Sequence, residues 1–152
     1  MSTVSNVCPS GDERVLLFGL LYETNARLSR TLGTRLEDSC GLPLPWFDVL
    51  LQLRRSPEGR LKMSQIANAT VHSTGGTTRL IDRIEAAGFV QRAHCPNDRR
   101  AVHVAITVIG NEKLDEALGA HLTHLEFHLA DRLNAQERQT LTTLLTKMNG
   151  DD

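Results

Sequence analysis

Apolar positions follow helical spacing at both ends of the chain and strand spacing near its middle. From about Asp12 to Ser39, leucines recur at intervals close to multiples of 3.5 residues, which predicts one long amphipathic helix. The stretch "CGLPLP" ends this helix, and "PWFDVLLQLRRS" predicts a second one with Pro45 in its first turn. Pro57 and Gly59 close the second helix.

Two short helices and an alternating pair of strands are predicted next. "MSQIANAT" and "TGGTTRLIDRIEAA" are separated by three residues, which indicates a helix-turn-helix. Ser73 is placed to cap the second of these helices, and Gly88 to provide its left-handed C-terminal residue. "FVQRAH" and "AVHVAIT" alternate in polarity, and the turn-forming "CPNDRR" between them predicts a β-hairpin.

The C-terminal part of the chain is again helical in its pattern. A long helix is predicted from Val108 to about Leu133, with Thr107 as its N-cap. A last helix begins at Asn134, which stands three residues before Glu137 at the spacing of a capping box. Leucines form an apolar stripe along both helices.

The composition fits one compact, largely aliphatic domain with helical extensions, because 152 residues include 40% hydrophobic but only 4% aromatic residues. No apolar run is long enough to span a bilayer, and the N-terminus does not resemble a secretory signal. Cys8, Cys40 and Cys95 are widely spaced, which favours a reduced, cytoplasmic protein. The sequence contains no recognisable nucleophile–base pair, paired carboxylates or metal motif, so we expect no enzyme, cofactor or bound metal.

Charge is strongly segregated, although the net charge is only −1. Between Arg54 and Arg100 there are nine basic and four acidic residues, a net charge of +5 that leaves −6 for the rest. This segregation indicates a polyanionic partner for the middle of the chain. Random clustering of solvated charges is the alternative.

One face of the second short helix suits the major groove of DNA. At 100° per residue, Leu80, Ile81 and Ile84 turn inward, whereas Thr78 and Arg79 turn outward with the small residues of the first turn. Small side chains allow close approach, hydroxyl groups bind phosphate, and an arginine can reach guanine edges.

The hairpin tip "NDRR" suits the adjacent minor groove, where an arginine is attracted by concentrated negative potential. Asp98 is expected to pair with a neighbouring arginine and to fix its direction. The predicted DNA-binding residues are Ser73, Thr74, Gly75, Thr78, Arg79, Asp98, Arg99 and Arg100.

The predicted fold class is therefore mainly α with a small β-hairpin wing. Residues 44–107 form a winged helix-turn-helix DNA-binding domain, and residues 1–43 and 108–152 form dimerisation helices. A two-fold dimer would match a palindromic operator, whereas an intramolecular bundle is the alternative for the terminal helices.

From about Leu44 to Gly110 the chain resembles the MarR (multiple antibiotic resistance regulator) family. "TRLIDRIEAAGFVQRAHCPNDRRAVHVAIT" followed by "VIG" is similar to the family run T-R-L-x-D-R-L-E-x-x-G-x-V-x-R, its D-R-R wing and L-T-x-x-G. The resemblance implies a homodimeric transcription regulator, often a repressor released by a small ligand. It places Thr78 and Arg79 on the recognition helix, and Asp98 and Arg100 on the wing. The chain departs from the family pattern at the adjacent Gly75 and Gly76 and in "TVIG", where an acid commonly precedes the glycine.

The resemblance also implies a ligand pocket between the dimerisation helices and the DNA-binding domain. Trp46 and Asp48 lie near its expected position, and Tyr22 and Arg14 could approach from the first helix. An aromatic ring with a carboxylate suits an aromatic or phenolic effector. A core tryptophan beside a surface carboxylate is an equally good interpretation.

Three other interpretations remain open at this stage. His121, His124 and His128 share a helical stripe compatible with zinc, which would make a metal-responsive regulator. Cys8 precedes the first helix as in peroxide-sensing relatives of the family, and this resemblance would imply a redox-responsive regulator. A winged-helix protein-interaction module belongs to a different class, and salt-sensitive binding to duplex DNA would argue against it.

Overall fold

The computed structural model describes residues 9–70, 74–95 and 97–150, and it confirms the predicted fold class. The order of elements is α1 (Glu13–Cys40), α2 (Leu44–Arg55), β1 (Arg60–Lys62), α3 (Met63–Ala69), α4 (Thr74–Ala86), β2 (Val90–Cys95), β3 (Asp98–Ile106), α5 (Val108–His128) and α6 (Ala135–Asn149), with short 3-10 turns at Pro9–Gly11 and Ala130–Arg132. No helix among the described residues is both long and apolar enough to cross a membrane.

Helix ends follow the capping signals in the sequence. The Thr107 hydroxyl accepts a hydrogen bond from the Gly110 backbone N–H at 3.0 Å, and Asn134 and Glu137 form the predicted capping box. Gly88 follows α4 with a φ of 84°, the left-handed conformation predicted for it. The predicted Ser73 cap lies outside the described residues.

The wing is a three-stranded antiparallel sheet in the order β1-β3-β2 rather than a simple hairpin. Strand β1 was not predicted because three residues are too few to show alternation, and Leu61 is paired there with Val104. The sequence predicts that "DRR" belongs to the turn of the hairpin. Strand β3 instead begins at Asp98, so these three residues lie within the strand. The register shifts between His94 and Cys95, beside the turn.

Helix α5 is shorter than predicted. It ends at His128 instead of about Leu133, because the chain tightens into a 3-10 turn and becomes extended at Leu133, φ −134° and ψ 133°. Leu133 directly precedes Asn134, the N-cap residue of α6. The capping signal of α6 therefore sets the point at which the preceding helical segment has to end.

The hydrophobic core joins the helix-turn-helix to the C-terminal half of α1 and the first half of α5. Leu36 of α1, Leu50 of α2, Ile81 of α4 and Leu114 of α5 are all completely buried in one cluster. Each such side chain contributes roughly 1.5–3 kcal/mol when removed from water. The core therefore holds the helix-turn-helix and the start of α5 together as one body.

The start of α5 lies unusually close to the turn after α4. The Thr107 hydroxyl donates to the Gly88 carbonyl at 2.6 Å, and the Thr107 N–H donates to the Phe89 carbonyl at 3.0 Å. A Cβ atom on Gly110 would lie 2.0 Å from the Phe89 carbonyl oxygen. Only glycine fits this contact, which gives the glycine of "TVIG" a structural reason.

Candidate nucleic-acid interface

Helix α4 has one buried and one exposed face. Thr77, Ile81 and Ile84 are buried, whereas Thr78 and Arg79 are exposed. Helical periodicity also predicts that Ala87 faces the core, but α4 ends at Ala86 and Ala87 is exposed. The helix is therefore seated on the core with its polar, arginine-bearing face toward solvent.

The predicted DNA-binding residues lie on two exposed surfaces. Gly75, Thr78 and Arg79 are on the outer face of α4, and Asp98 and Arg100 are exposed at the start of β3. Ser73 and the side chains of Thr74 and Arg99 lie outside the described part of the chain. The contacts of all eight residues with DNA remain predictions.

Asp98 shapes the wing through the backbone. Its Oδ1 accepts a hydrogen bond from the Arg100 N–H at 2.9 Å, the pattern of an Asx turn. The predicted pairing with a neighbouring guanidinium is not the contact observed for Arg100. The carboxylate thus orders the chain that carries the arginine instead of holding the arginine itself.

Arg92 on β2 is a central residue of this site that the sequence reasoning missed. Its guanidinium forms ion pairs with the carboxylates of Glu85 and, at 2.6 Å, Asp82, and it lies 3.5 Å from the Thr78 carbonyl. The Arg92 backbone N–H also donates to Glu85 at 3.1 Å. Partial burial lowers the pKa of Arg92, but its hydrogen bonds and charge interactions with Asp82 and Glu85 outweigh this and raise the pKa. The sequence signal for this cluster was the spacing of Asp82, Glu85 and Arg92, which match the D, E and final R of the family run.

The contacts of the Arg92 guanidinium have two consequences for α4. It ties the helix to the sheet along its length, since Thr78, Asp82 and Glu85 occupy successive turns. It also offsets one of the two negative charges of Asp82 and Glu85, which lie beside the face predicted to meet DNA. Arg92 therefore supports α4, the helix whose outer face is predicted to contact DNA.

An open groove of about 420 Å³ separates α3 from the start of β3. Lys62 and Arg100 line it together with Ser64 and Asn68, so two cations and two neutral polar side chains share one surface. Such a surface suits a phosphate group of the DNA backbone. The sequence reasoning did not single out Lys62, because a lone lysine on a short strand carries no pattern.

The four predicted ligand-binding residues lie in different surroundings in the described part of the chain. Trp46 packs edge-on against Phe89 at 6.2 Å between ring centroids, and Asp48 is exposed. Tyr22 is 67% exposed beside another ring of α1, and Arg14 pairs with the cap residue Asp12 at 2.8 Å. Their role in ligand binding remains a prediction.

A second groove lies between the start of α2 and the recognition helix. It has a volume of about 280 Å³ and is lined by Pro45, Gly76, Arg79, Leu80 and Arg83. Two arginines beside apolar atoms form a surface that suits an anion with an apolar body.

The three histidines of α5 are directed to different neighbours. His121 packs against Phe47 at 4.7 Å between ring centroids, and His124 Nε2 lies 3.0 Å from the Ser39 hydroxyl. His128 packs edge-on against the preceding Phe127. Within the described ranges, no group of three histidines, cysteines or acids could hold a metal ion, so the stripe does not form the hypothesised zinc site there.

The cysteines offer little support for redox sensing. Cys8 and the side chain of Cys95 lie outside the described residues. Cys40 is half-buried, and its thiol donates a hydrogen bond to the Leu36 carbonyl at 3.3 Å.

A helix-turn-helix on a packed core, an outward polar face on its second helix and an exposed basic wing define a winged helix-turn-helix DNA-binding protein. Residues 41–101 match the model of the MarR family. An HTH-type transcriptional regulator of Bacillus cereus is 30% identical over 103 residues, which cover 68% of this chain and 67% of the relative. The chain belongs to the MarR family of DNA-binding transcriptional regulators, whose fold is that of regulators and not of enzymes.

Some curated relatives are matched only in part. YfiV of Bacillus subtilis is 42% identical over 66 residues, and YkoM of the same organism is 33% identical over 89 residues. The matches span 40% of the length of YfiV and 57% of that of YkoM.

Solved structures resemble the chain over most of its length. Sco3205 of Streptomyces coelicolor in complex with DNA has a TM-score of 0.80 at 25% identity, covering 88% of this chain and 84% of Sco3205. Mutant MarR of Escherichia coli with operator DNA has a TM-score of 0.78 at 27% identity, covering 90% and 95%. BpsR of Bordetella bronchiseptica, whose DNA binding is regulated by 6-hydroxynicotinic acid, has a TM-score of 0.76 at 25% identity, covering 88% and 98%.

Proposed function

We propose that this regulator acts in the cytoplasm as a homodimeric repressor that binds a palindromic operator and is released by a small ligand. The observation that carries the proposal is a broad apolar surface on the terminal helices. Among the described residues, large hydrophobic side chains are exposed there at Val15, Leu16, Leu17, Phe18, Leu20, Tyr22, Leu122, Phe127, Leu141, Leu144, Leu145 and Met148.

This surface is continuous between the two ends of the chain. Leu17 and Leu21 of α1 line an apolar groove of about 420 Å³ together with Leu141, Leu144 and Leu145 of α6. Apolar patches beyond a few hundred Å² are rare on monomers, and each leucine removed from water contributes roughly 1.5–3 kcal/mol. A second copy of the chain is the occupant we infer, which assigns residues 1–43 and 108–152 to dimerisation and 44–107 to DNA binding.

Each subunit would then present the same two surfaces to one half of the operator. Thr78 and Arg79 of α4 would enter the major groove, with Ser73, Thr74 and Gly75 at its N-terminal end. Arg99 and Arg100 would reach the adjacent minor groove, and Lys62 would contact phosphate.

Release by a small aromatic anion is supported by the chemistry of the chain and by one structural relative. The groove between α2 and α4 places Arg79 and Arg83 beside apolar atoms, next to the helix that carries Trp46 and Asp48. A ligand bound to Arg79 would compete directly with DNA. The regulation of BpsR by 6-hydroxynicotinic acid is the precedent for such an effector.

Two measurements test the proposal. Light scattering after gel filtration should give the mass of two chains, and Leu145→Glu on the apolar face should yield monomers. Gln139→Glu on the polar side of α6 is the matched control and should leave the dimer intact. A wild-type monomer would refute the dimer.

DNA fragments that co-purify with the protein should contain an inverted repeat. Affinity for that duplex should fall steeply with salt. If binding then responds to zinc or peroxide but to no aromatic acid, the metal- or redox-responsive alternative replaces the proposed effector. Salt-independent or absent duplex binding would favour an interaction module instead.

A further inference from the structure

Arg54, the penultimate residue of α2, forms hydrogen bonds and an ion pair with the first turns of α5. Its Nε donates to Asn111 Oδ1 at 3.0 Å, and its Nη2 donates to the Asn111 carbonyl at 2.6 Å. Its Nη1 forms an ion pair with Asp115 Oδ1 at 2.5 Å. One guanidinium thus spans two turns of the helix that leaves the DNA-binding domain.

A separate set of contacts holds α5 to the turn after α4. Thr107 donates hydrogen bonds to the Gly88 and Phe89 carbonyls, and the Gly110 backbone packs closely against the Phe89 backbone. The Asn111 side chain donates to the Thr107 carbonyl at 3.2 Å and so links the two sets. One attachment would let the helix pivot, whereas two attachments on different elements also fix its direction.

The direction of α5 has a large effect at its far end. With 21 residues at 1.5 Å each, the helix is roughly 30 Å long. A change of about 10° at the joint would therefore displace the far end by roughly 5 Å. Successive base pairs are about 3.4 Å apart, so this displacement exceeds one base-pair step.

We propose that Arg54 is a positioning residue that fixes the angle between the DNA-binding domain and α5, and thereby restricts the distance between the two half-sites the protein accepts. The inference rests on the proposed homodimer, in which the terminal helices join the subunits. Half-site separation in such dimers is set by protein geometry.

A direct contact between Arg54 and DNA is a poor alternative. The side chain is only 29% exposed and is directed at α5, where Asp115 neutralises it. Arg55, the next residue, is exposed and has the same charge, so it serves as a matched control.

The experiment measures Kd for a series of operators in which the spacer between half-sites is shortened or lengthened by one and two base pairs. Wild-type protein should lose roughly tenfold or more in affinity for a one-base-pair change. Arg54→Met should bind the best spacer within about threefold of wild type and lose less than about threefold for the same change. Arg55→Met should keep the steep wild-type profile.

Each other outcome overturns the inference in a recognisable way. An equal loss at every spacer with a shallower salt dependence would make Arg54 a phosphate contact. An equal loss with a lower melting temperature would make it only a stabilising residue. Should Arg54→Met fail to fold, the double variant Asn111→Ala, Asp115→Ala removes both side-chain partners of Arg54, and an unchanged spacer profile would again refute the inference. A monomeric wild type would refute the dimer itself, whereas a dimer with unchanged spacer dependence in the variant refutes only the role of Arg54.

Discussion

Replacing Arg92 with methionine would remove the fork that connects β2 to α4 while keeping much of the aliphatic stem. The ion pairs with Asp82 and Glu85 are partly exposed, with 27% of the arginine side chain, 58% of Asp82 and 36% of Glu85 accessible. Pairs of this kind contribute roughly 0.5–1 kcal/mol each, so we expect the free energy of unfolding to fall by about 1–2 kcal/mol.

The expected effect on DNA binding is separate from the effect on stability. Without Arg92, the net charge of the Asp82–Glu85 cluster falls from −1 to −2 beside the helix predicted to enter the major groove. We expect a loss of about tenfold or more in affinity, close to 1.4 kcal/mol, which should be larger at low salt because the repulsion is then less screened.

A compensating variant distinguishes repulsion from disorder. In Arg92→Met, adding Asp82→Asn and Glu85→Gln removes both carboxylate charges and brings the cluster from −2 to zero, so the affinity should return to the wild-type level or above it without restoring the full stability. Affinity measured by fluorescence anisotropy over a range of salt, with urea unfolding in parallel, provides both readouts. If the triple variant binds as weakly as the single one, charge masking is wrong and α4 placement alone accounts for the loss. A normal stability with a shallower salt slope would instead mean that Arg92 contacts phosphate directly.

Three further changes test other parts of the structure. Arg100→Ala should cost a few kcal/mol of operator affinity and leave the melting temperature unchanged; equal affinity would refute the minor-groove assignment. Gly110→Ala should destabilise the fold by about 3 kcal/mol because its methyl group meets the Phe89 carbonyl, whereas Gly119→Ala, with open space around it, should be neutral or stabilising. Burial, and to a smaller extent the charge of the neighbouring His124, lowers the pKa of His121 from its ordinary value of 6.5. The unfolded chain therefore binds a proton at this histidine more readily than the folded chain does, so the free energy of unfolding should fall as the pH drops below about 6.5. His121→Leu should flatten this dependence in urea unfolding at pH 7.5 and 5.5, and an unchanged slope would assign it to other groups.

The elements that were predictable are those whose signal is local. The buried face of α4 follows from helical periodicity, and the capping box at Asn134 and the left-handed Gly88 follow from backbone chemistry over three or four residues. Strand β1 was missed because its pairing with β3 joins residues more than forty positions apart. The extension of β3 back to Asp98 was missed for a related reason. Pro96, Asn97 and Asp98 are typical turn residues, and the strand pairing that includes Asp98 is not visible in the local sequence.

The supporting residues of the site could not be found from spacing alone. Arg54 meets Asn111 and Asp115 only after α2 and α5 pack together, and its sequence neighbours do not distinguish it from Arg55. Arg92 was more accessible to prediction, because Asp82 and Glu85 lie on one face of α4 and the following strand returns alongside it. The ligand-binding residues Trp46, Asp48, Tyr22 and Arg14 stay a prediction, since they lie on two helices and no local pattern joins them.

The distribution of ion pairs changes how the central positive charge should be understood. Arg54, Arg60 and Arg92 are each paired with a carboxylate, and these three connect or flank structural elements. Arg79 on the outer face of α4 and Arg100 on the wing are exposed and form no ion pair with another described residue. We therefore expect two groups of bases in the middle of the chain, one held in ion pairs with carboxylates and one that stays available to DNA. Because only the second group can release counterions from the duplex, the salt dependence of binding should follow the exposed arginines and not the total count of bases.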